Sequence, residues 1–369
     1  MDLATLQAEV AVGRTRPLAP GSLYRDLGVF QRELEAETGL QIRLATLNLV
    51  VVCSNPEEAR GLGPVLRELS VDFPCRCLVA VREPQAPPGD LVGFASFAAH
   101  PVRSSQVCCE QVVVYSAGGE GESIPSLVLA ALAPDLPTLS WWRGEPPFGS
   151  ALFEQILEPS NRVVFDSNSF PVERLASVLD LVGDRYHQEQ AFSDLSWVRV
   201  EPWREEIAAL FDPPEATRAL RDLVRVDLEH RPAPGPLAPQ PLLLAGWLAS
   251  RLGWTPVGSA REGEALHARL RGGGGEVELR LVPRPGEGEP GEIAGFRCAT
   301  AEGREFRLTS VRPRRRARSR GPGCGLDGAA RRLVGWMGQE LSVLTRDAVF
   351  QEALEAAVQL APSGRRAGS

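Results

Sequence analysis

The sequence predicts an α/β protein in two parts: an N-terminal mostly parallel sheet with flanking helices, then a C-terminal α+β domain with an antiparallel meander and covering helices. In the first half, apolar strand-like runs alternate with helical segments, which is typical of a parallel sheet covered on both faces. In the second half, apolar and polar residues alternate between glycine-rich turns, which is typical of antiparallel strands with one wet face. The length of 369 residues also exceeds what one hydrophobic core usually fills.

The first half begins with a one-faced helix and continues as a strand–helix alternation. Residues 22–37 place leucine and phenylalanine at helical spacing. The β-branched run at 45–53 predicts a strand, and Ser54 or Asn55 can cap a helix that starts at Pro56. The same reasoning predicts helices at 56–69, 123–133, 149–157 and 171–181, and strands at 71–81, 107–116, 138–142 and 161–166.

The stretch Asp194–Asp212 is predicted to join the two parts. It contains a short extended run at 198–200, after which Pro202 stands where its fixed φ suits a first helical turn. A helix is expected from Trp203 onward, because apolar residues then recur on one face.

The second half is predicted to combine a meander with helices. A strand is expected at 224–229, an apolar helix at 242–252, further strands at 266–270, 277–281, 293–300 and 305–311, and closing helices at 328–344 and 347–360. The predicted domain boundaries are 1–40 for an N-terminal arm and helix, 41–193 for the α/β domain, 194–222 for a connecting helical segment, 223–361 for the α+β domain and 362–369 for a disordered tail.

The composition excludes several kinds of chemistry. All 40 basic residues are arginine, which excludes a phosphate-loop lysine, a Schiff-base lysine and a lysine general base. The net charge of −7 gives no general reason to expect nucleic acid. The N-terminal stretch has no apolar core of signal-peptide length, and no run elsewhere is long enough to span a membrane, so we expect a cytoplasmic protein without membrane contact.

Catalytic and cofactor motifs are missing from the sequence. It contains no GxGxxG turn after the first strand, no GxSxG elbow, no HExxH pair and no acidic calcium loop. The four histidines are scattered along the chain. We therefore predict no catalytic residues, no metal and no cofactor.

A polar segment precedes the strand predicted at 107–116. His100, Arg103 and Ser104 could bind a phosphate there, because the guanidinium fork of arginine matches phosphate oxygens. A proline-set turn that caps the strand would use the same residues. Both interpretations stay open.

Most cysteines fall on predicted strands, where a thiol is usually a small buried hydrophobe. The candidate redox residues are Cys75, Cys77, Cys108, Cys109 and Cys324, the last in an exposed glycine-rich segment. Cys75 and Cys77 are two residues apart on one strand, which places them near the upper distance that a disulfide tolerates, so a bridge between them is not easy. A bridge from one of them to Cys108 or Cys109 is possible if the two strands are adjacent. A four-thiolate metal site is the alternative, although the usual loop-borne CxxC spacing is absent.

Two groups of side chains could contact a partner. Trp141, Trp142, Arg143, Trp203 and Arg204 lie near predicted element ends, and tryptophan and arginine are common interface anchors, although the tryptophans could also fill a domain junction. The arginines between 312 and 320 could bind nucleic acid or an acidic protein, whereas a solvated loop explains them without any partner. Because aromatic residues do not interleave with these arginines, we predict no nucleic-acid partner.

Several blocks of sequence occur in a recognisable order. They are DLPTLSWWRGEPP at Asp135–Pro147, NRVVFDSNSF at Asn161–Phe170, DLSWVRVEPWREEIAALFD at Asp194–Asp212 and LLAGWLASRLGW at Leu243–Trp254, and TLNLVVVC and HPVRSSQVCCEQVVV agree with them. These blocks resemble the glucose-6-phosphate dehydrogenase assembly protein family, called OpcA. The resemblance implies a non-catalytic partner that binds glucose-6-phosphate dehydrogenase and promotes its active oligomer. In cyanobacterial members of the family this role is tied to thioredoxin-linked redox control through cysteines, so the resemblance implies thioredoxin as a further partner.

Two other classes of function stay open. An enzyme acting on a sugar phosphate or nucleotide would use the carboxyl edge of the sheet as its site. An arginine-loop nucleic-acid binder would show salt-dependent binding to oligonucleotides. Turnover by the isolated protein separates the enzyme from the assembly partner.

Overall fold

The computed structural model describes residues 3–18, 28–30, 32–33, 36–37, 45–89, 91–102, 105–119, 123–184, 189–311 and 326–362. Packing divides the chain into two compact units, each made of three stretches of sequence. Unit 1 contains Met1–Asp166, Glu189–Ser193 and Arg316–Arg346, and unit 2 contains Ser167–Gln188, Asp194–Arg315 and Asp347–Ser369. The continuous domain boundaries given above stay a prediction. Most of the helix predicted at 22–37 and nearly all of the predicted tail lie outside the described residues.

Strands and helices alternate up to residue 194. In chain order they are α1 (Leu3–Val10), β1 (Arg14–Leu18), β2 (Leu47–Cys53), α2 (Leu62–Asp72), β3 (Cys75–Glu83), β4 (Val92–Val102), β5 (Ser105–Ala117), α3 (Ile124–Ala131), β6 (Thr138–Trp142), α4 (Ala151–Leu157), β7 (Arg162–Phe165), α5 (Leu175–Gly183) and β8 (Ala191–Asp194). Short 3-10 helices occur at Pro56–Ala59, Ser167–Ser169 and Val172–Arg174.

The rest of the chain adds six helices and six strands among the described residues. They are α6 (Leu195–Arg199), α7 (Glu201–Leu210), α8 (Pro214–Ala219), β9 (Leu223–His230), α9 (Pro239–Leu252), β10 (Thr255–Glu262), β11 (Ala265–Gly272), β12 (Gly275–Pro283), β13 (Ile293–Thr300), β14 (Glu305–Leu308), α10 (Gly328–Leu341) and α11 (Ala348–Leu360).

The first sheet has the strand order β1-β4-β5-β3-β2-β6-β7-β8. Parallel pairs join β5 to β3, β3 to β2, β2 to β6 and β6 to β7, while β4 pairs antiparallel with both β1 and β5. Every residue of β2 is buried, as expected for the central strand of a sheet covered on both faces. The predicted mostly parallel sheet is therefore confirmed.

Strand β4 is absent from the prediction, and it forms a hairpin with β5. Its sequence VGFASFAAHPV contains glycine, alanine and proline, so neither a β-branched run nor a clean alternation marks it. Pairing with β5 along its whole length makes it a strand. The polar segment predicted as a turn before residue 107 is thus partly strand, since Val102 ends β4 and Ser105 begins β5.

The second sheet has the strand order β10-β11-β12-β9-β13-β14. All of its pairs are antiparallel except β12 with β9. The predicted α+β architecture is confirmed, but β9 lies between β12 and β13 and divides the meander. The edge strand β10 was not predicted, because most of its residues are exposed and small or polar.

Helix α6 replaces the extended run predicted at 198–200. The Asp194 carboxylate accepts hydrogen bonds from the N–H groups of Ser196, at 2.8 Å, and Ser167, at 3.0 Å, which caps α6 at its start. The prediction followed the β-branched residues Val198 and Val200, whereas the cap decides the local structure. Pro202 does lie in the first turn of the next helix, α7, as predicted.

Helices α9 and α11 pack very closely within unit 2. A Cβ added to Gly246 would collide with the carbonyl oxygen of Ala353 and lie 2.7 Å from the Ala357 nitrogen. Only glycine therefore allows this approach of the two helices. The neighbouring Leu242, Leu243 and Leu244 are fully buried.

A buried ion pair attaches α10 to the amino end of β7 within unit 1. Arg162 Nε donates to Glu340 Oε2 at 2.8 Å, and Arg162 Nη1 donates to the Thr345 carbonyl oxygen at 3.0 Å. Both charged side chains are less than a tenth exposed. No helix among the described residues combines the length and apolar character needed to cross a membrane.

Candidate functional site

The position of β2 marks where a ligand would bind to the first sheet. Strand β3, which follows β2 in sequence, lies on one side of it, and β6 lies on the other. Val52 is opposite Trp142, so the carboxyl ends of β2 and β6 lie side by side. Open α/β sheets bind ligands outside the carboxyl ends of their strands at such a reversal of strand order. The segments that follow β2 and β6 therefore form the candidate site.

Glu58 occupies this edge with its own carboxylate. Its Oε2 accepts a hydrogen bond from the Ser54 N–H at 2.6 Å, and its Oε1 accepts one from Asn55 Nδ2 at 2.8 Å. In return, Asn55 Oδ1 accepts a hydrogen bond from the Glu58 N–H at 3.0 Å. The arrangement resembles a capping box, in which two side chains satisfy backbone groups reciprocally. The signal that could have identified Glu58 is thus the spacing Asn55-x-x-Glu58.

Gly144 gives this carboxylate its space. A Cβ added to Gly144 would lie 2.6 Å from Glu58 Cδ, well inside the closest normal approach. The preceding residue, Arg143, binds the same segment, because its Nε donates to the Glu58 carbonyl oxygen at 3.1 Å. The end of β6 and the turn after β2 are therefore in direct contact.

Burial controls the ionisation of the groups at this edge. It raises the pKa of Glu58 above its ordinary value, while the Ser54 hydrogen bond and the Arg143 guanidinium act in the opposite direction. Burial also raises the pKa of the Cys53 thiol to about 12. A thiol with so high a pKa is not a nucleophile at neutral pH, because the thiolate is the reactive form.

A second carboxylate lies at the ends of β3 and β5. The Tyr115 hydroxyl donates a hydrogen bond to Glu83 Oε2. This bond lowers the pKa of Glu83, and burial together with the bond raises the pKa of Tyr115 to about 12. In dinucleotide-binding sheets, an acid near this position binds the ribose hydroxyl groups. Here the Glu83 carboxylate has an internal donor.

Three of the five candidate interface residues lie at the end of β6. Trp141 and Trp142 are each only 1% exposed, and the Trp142 ring lies 5.2 Å from the ring of Phe153. The half-buried Arg143 guanidinium lies 5.0 Å from the Trp141 ring centroid. The two indoles therefore belong to the core and are not displayed on the surface.

The other two, Trp203 and Arg204, lie in unit 2. Trp203 is buried, and the Arg204 guanidinium lies 3.5 Å from the Trp197 ring centroid. Burial lowers the pKa of Arg204 to about 10. Trp197 Nε1 in turn donates to Asp347 Oδ2 at 2.9 Å, and Asp347 Oδ1 caps α11. These residues join α6, α7 and α11, a role that spacing along the sequence did not reveal.

The candidate redox cysteines are only partly described. Cys75 and Cys77 are buried on β3, and β3 is adjacent and parallel to β5, which carries Cys108 and Cys109. The condition that the strands be adjacent is therefore met. The side chains of Cys108 and Cys109, and all of Cys324, lie outside the described residues. The redox pair stays a prediction.

The remaining candidates also fall partly outside the description. Arg103 and Ser104 lie outside it, as does the side chain of His100, whose backbone pairs with Val107. The arginine run at 312–320 lies outside it as well. Within the described part of the chain, no three histidine, cysteine or acidic side chains are grouped so as to hold a metal ion.

The structure defines a class of protein with a doubly wound parallel sheet, a separate mostly antiparallel sheet, and carboxylates of its own at the ligand edge. Residues 66–179 match the family model "Glucose-6-phosphate dehydrogenase subunit N-terminal domain", and residues 190–354 match the model of the C-terminal domain. The chain belongs to this glucose-6-phosphate dehydrogenase subunit family, OpcA, which confirms the resemblance found in the sequence.

Curated relatives bear the name "Putative OxPP cycle protein OpcA". The protein from Synechococcus elongatus is 30% identical over 290 residues, which are 75% of this chain and 57% of the relative. The protein from Nostoc punctiforme is 29% identical over 209 residues, which are 55% of this chain and 43% of the relative. The chain thus spans about half the length of the curated relatives it matches.

The solved structures of some oxidoreductases are also similar to this chain, but at much lower sequence identity. An oxidoreductase from Sinorhizobium meliloti has a TM-score of 0.46 and 11% identity, with 86% of this chain and 96% of that chain covered. The scyllo-inositol dehydrogenase from Lactobacillus casei has a TM-score of 0.44 and 10% identity, with 85% and 95% covered. At these values the likeness supports no conclusion about a cofactor or an activity.

Proposed function

We propose that this chain is a non-catalytic subunit that binds glucose-6-phosphate dehydrogenase and promotes its active oligomer in the oxidative pentose phosphate pathway. The observation that carries the proposal is the match of two successive family models of a dehydrogenase subunit to residues 66–179 and 190–354. The name shared by the relatives, an OxPP cycle protein, supports the same pathway.

The geometry of the first sheet supports a binding role over a catalytic one. The edge at which an α/β enzyme would hold its substrate contains the Glu58 carboxylate, bonded to Ser54 and Asn55. The thiol beside it, Cys53, has a pKa raised to about 12 and is not a nucleophile. A sugar-phosphate enzyme would need reactive groups at this edge.

The mechanism we propose is a population shift. A subunit that binds the active conformer of the dehydrogenase more tightly than the inactive one moves the equilibrium by the ratio of the two affinities. Each tenfold difference in affinity contributes about 1.4 kcal/mol to that shift. No group of this chain needs to enter the dehydrogenase active site.

Trp141, Trp142, Arg143, Trp203 and Arg204 remain candidates for contact with the dehydrogenase. Their burial means that substitutions act on folding first. A weakened complex therefore counts as an interface effect only where the free energy of unfolding is unchanged.

Redox control by thioredoxin in the cytoplasm is the further part of the proposal. The adjacency of β3 and β5 supports a single intramolecular pair between Cys75 or Cys77 and Cys108 or Cys109. Counting thiols under oxidising and reducing conditions, alongside activation of the dehydrogenase, tests it. Activation that stays constant while a pair of thiols is lost contradicts it.

The test of the main proposal uses the dehydrogenase from the same cell. The isolated chain is expected to turn over no glucose 6-phosphate. Its stoichiometric addition is expected to raise both the reaction rate of the dehydrogenase and the mass of the dehydrogenase oligomer. Turnover by the chain alone would favour a sugar-phosphate enzyme. Unchanged rate and mass would exclude the assembly role.

A further inference from the structure

The order of the parallel strands implies a dinucleotide cofactor, because sheets of this order bind dinucleotides where the strand order reverses. In those proteins, a glycine-rich turn after the first parallel strand presents backbone N–H groups and a helix N-terminus to the pyrophosphate. The corresponding turn here follows β2. Its residues can therefore be compared directly with what a pyrophosphate needs.

The turn after β2 does not fit a pyrophosphate. The Ser54 N–H already donates to Glu58 Oε2, and Pro56 has no N–H to donate. The Asn55 amide also donates to the Glu58 carboxylate. Helix α2 begins only at Leu62, several residues after the turn. The donors at this edge are therefore committed to a side chain of the same protein.

Space and charge support the same conclusion. The Glu58 carboxylate lies against the backbone of Gly144, where even an added Cβ would be only 2.6 Å from Glu58 Cδ. Arg143 is close enough to stabilise the charged form of Glu58, so the cation at this edge is already matched by an anion. A bound phosphate would place a second negative charge beside Glu58.

We infer that Glu58 is a built-in substitute for a phosphate group, and that its carboxylate closes a dinucleotide-type crevice to phosphate-containing ligands. The crevice is an anion cradle formed by the Ser54 N–H, the Asn55 amide and Arg143, with Gly144 giving the space. The internal bond between Tyr115 and Glu83 at the ribose position agrees with this closure. The inference does not depend on the proposed assembly role.

The test removes the internal anion and offers an external one. Wild type, Glu58→Ala and the control Glu57→Ala are titrated with inorganic pyrophosphate and with NADP+, and the amide resonance of Ser54 is followed by NMR. Glu57 is a suitable control because it is exposed and pairs with Arg60 at 2.7 Å. We expect Glu58→Ala to bind pyrophosphate at least about tenfold more tightly than wild type, with a shift of the Ser54 resonance. Glu57→Ala should behave as wild type.

Two results would overturn the inference. One is a wild-type protein that binds pyrophosphate or NADP+ with a shift at Ser54, because the crevice would then be open. The other is a folded Glu58→Ala variant that binds pyrophosphate no better than Glu57→Ala. If Glu58→Ala does not fold, Glu58→Gln carries the same test, since it removes the charge and keeps the shape. No gain over wild type in that variant would refute the inference as well.

Discussion

Gly144 and Glu58 are in contact across the carboxyl edge of the parallel sheet, and the missing side chain of Gly144 is what admits the Glu58 carboxylate. An alanine at 144 would place its Cβ 2.6 Å from Glu58 Cδ. Because the carboxylate is the end of a flexible side chain, it would swing away and lose its bond to the Ser54 N–H. The glycine at position 144, after β6, is therefore required for the hydrogen bond between Glu58 and Ser54, after β2.

Gly144→Ala is therefore expected to cost about 1–3 kcal/mol of stability, the range for leaving a buried polar group without its partner. Urea unfolding gives the free energy, and the Ser54 amide resonance reports the broken bond. Gly149→Ala is a poor control because Gly149 has a positive φ of 75°. Gly183→Ala, with nothing within 4 Å of the added Cβ, is a better one. A fully stable Gly144→Ala variant with an unchanged Ser54 resonance would contradict this account.

The helix glycines Gly246 and Gly335 should respond in opposite directions to alanine. At Gly246 the added Cβ meets the backbone of α11, so we expect a loss of about 1–3 kcal/mol from overpacking. At Gly335 in α10 nothing lies within 4 Å, so alanine should be neutral or stabilise by up to about 1 kcal/mol through helix propensity. Thermal and urea unfolding of both variants measure this. Equal effects at the two positions would refute the close packing.

The Arg162–Glu340 ion pair should contribute far more than an exposed one. Removing one partner leaves an uncompensated buried charge, so Glu340→Gln is expected to destabilise unit 1 by about 3–5 kcal/mol. The exposed pair of Arg60 and Glu57 provides the comparison, and Arg60→Ala should cost no more than about 1 kcal/mol. Urea unfolding followed by near-UV circular dichroism measures both. A Glu340→Gln variant as stable as Arg60→Ala would show that the pair does not fix α10.

Trp142 is expected to act through the core. Trp142→Ala should lower the free energy of unfolding by about 3–5 kcal/mol, the usual cost of truncating a buried large aromatic side chain. Leu129, which is 43% exposed, offers the control, and Leu129→Ala should change stability by no more than about 0.5 kcal/mol. Equal melting temperatures for wild type and Trp142→Ala would instead show that Trp142 does not contribute to the core.

His230 should make the stability of unit 2 depend on pH. Burial lowers its pKa below the ordinary value of 6.5, and its Nδ1 lies 2.8 Å from the Arg231 carbonyl oxygen. Between the folded and ordinary values the unfolded chain binds more protons, so the free energy of unfolding should rise with pH and level off above about 6.5. His230→Gln should flatten this part of the profile. An identical profile in the variant would assign the dependence to other groups.

The sequence predicted those parts of the fold that local patterns determine. The buried run of β2 and the alternation in β11 and β12 were readable, because burial on two faces and on one face leave different periodicities. Strands β4 and β10 were not, because pairing with a neighbour defines them and their side chains carry no clear period. The cap at Asp194 overrode the β-branched residues that favoured an extended run.

The candidate site was harder to predict than the fold. Glu57 and Glu58 are adjacent and identical in type, and only the fold shows that Glu58 turns back onto Ser54 while Glu57 is exposed. The tryptophans at 141 and 142 suggested an interface, since composition cannot distinguish a core aromatic residue from a displayed one. The family blocks carried the functional information that individual residues did not.

A titration of this chain into a fixed amount of glucose-6-phosphate dehydrogenase, with rate and oligomer mass recorded on the same samples, tests whether the chain assembles the active dehydrogenase. We expect both quantities to rise together and to saturate at the same molar ratio, while the chain alone shows no turnover. A rate that rises without a change in mass, or a complete absence of either change, would contradict it.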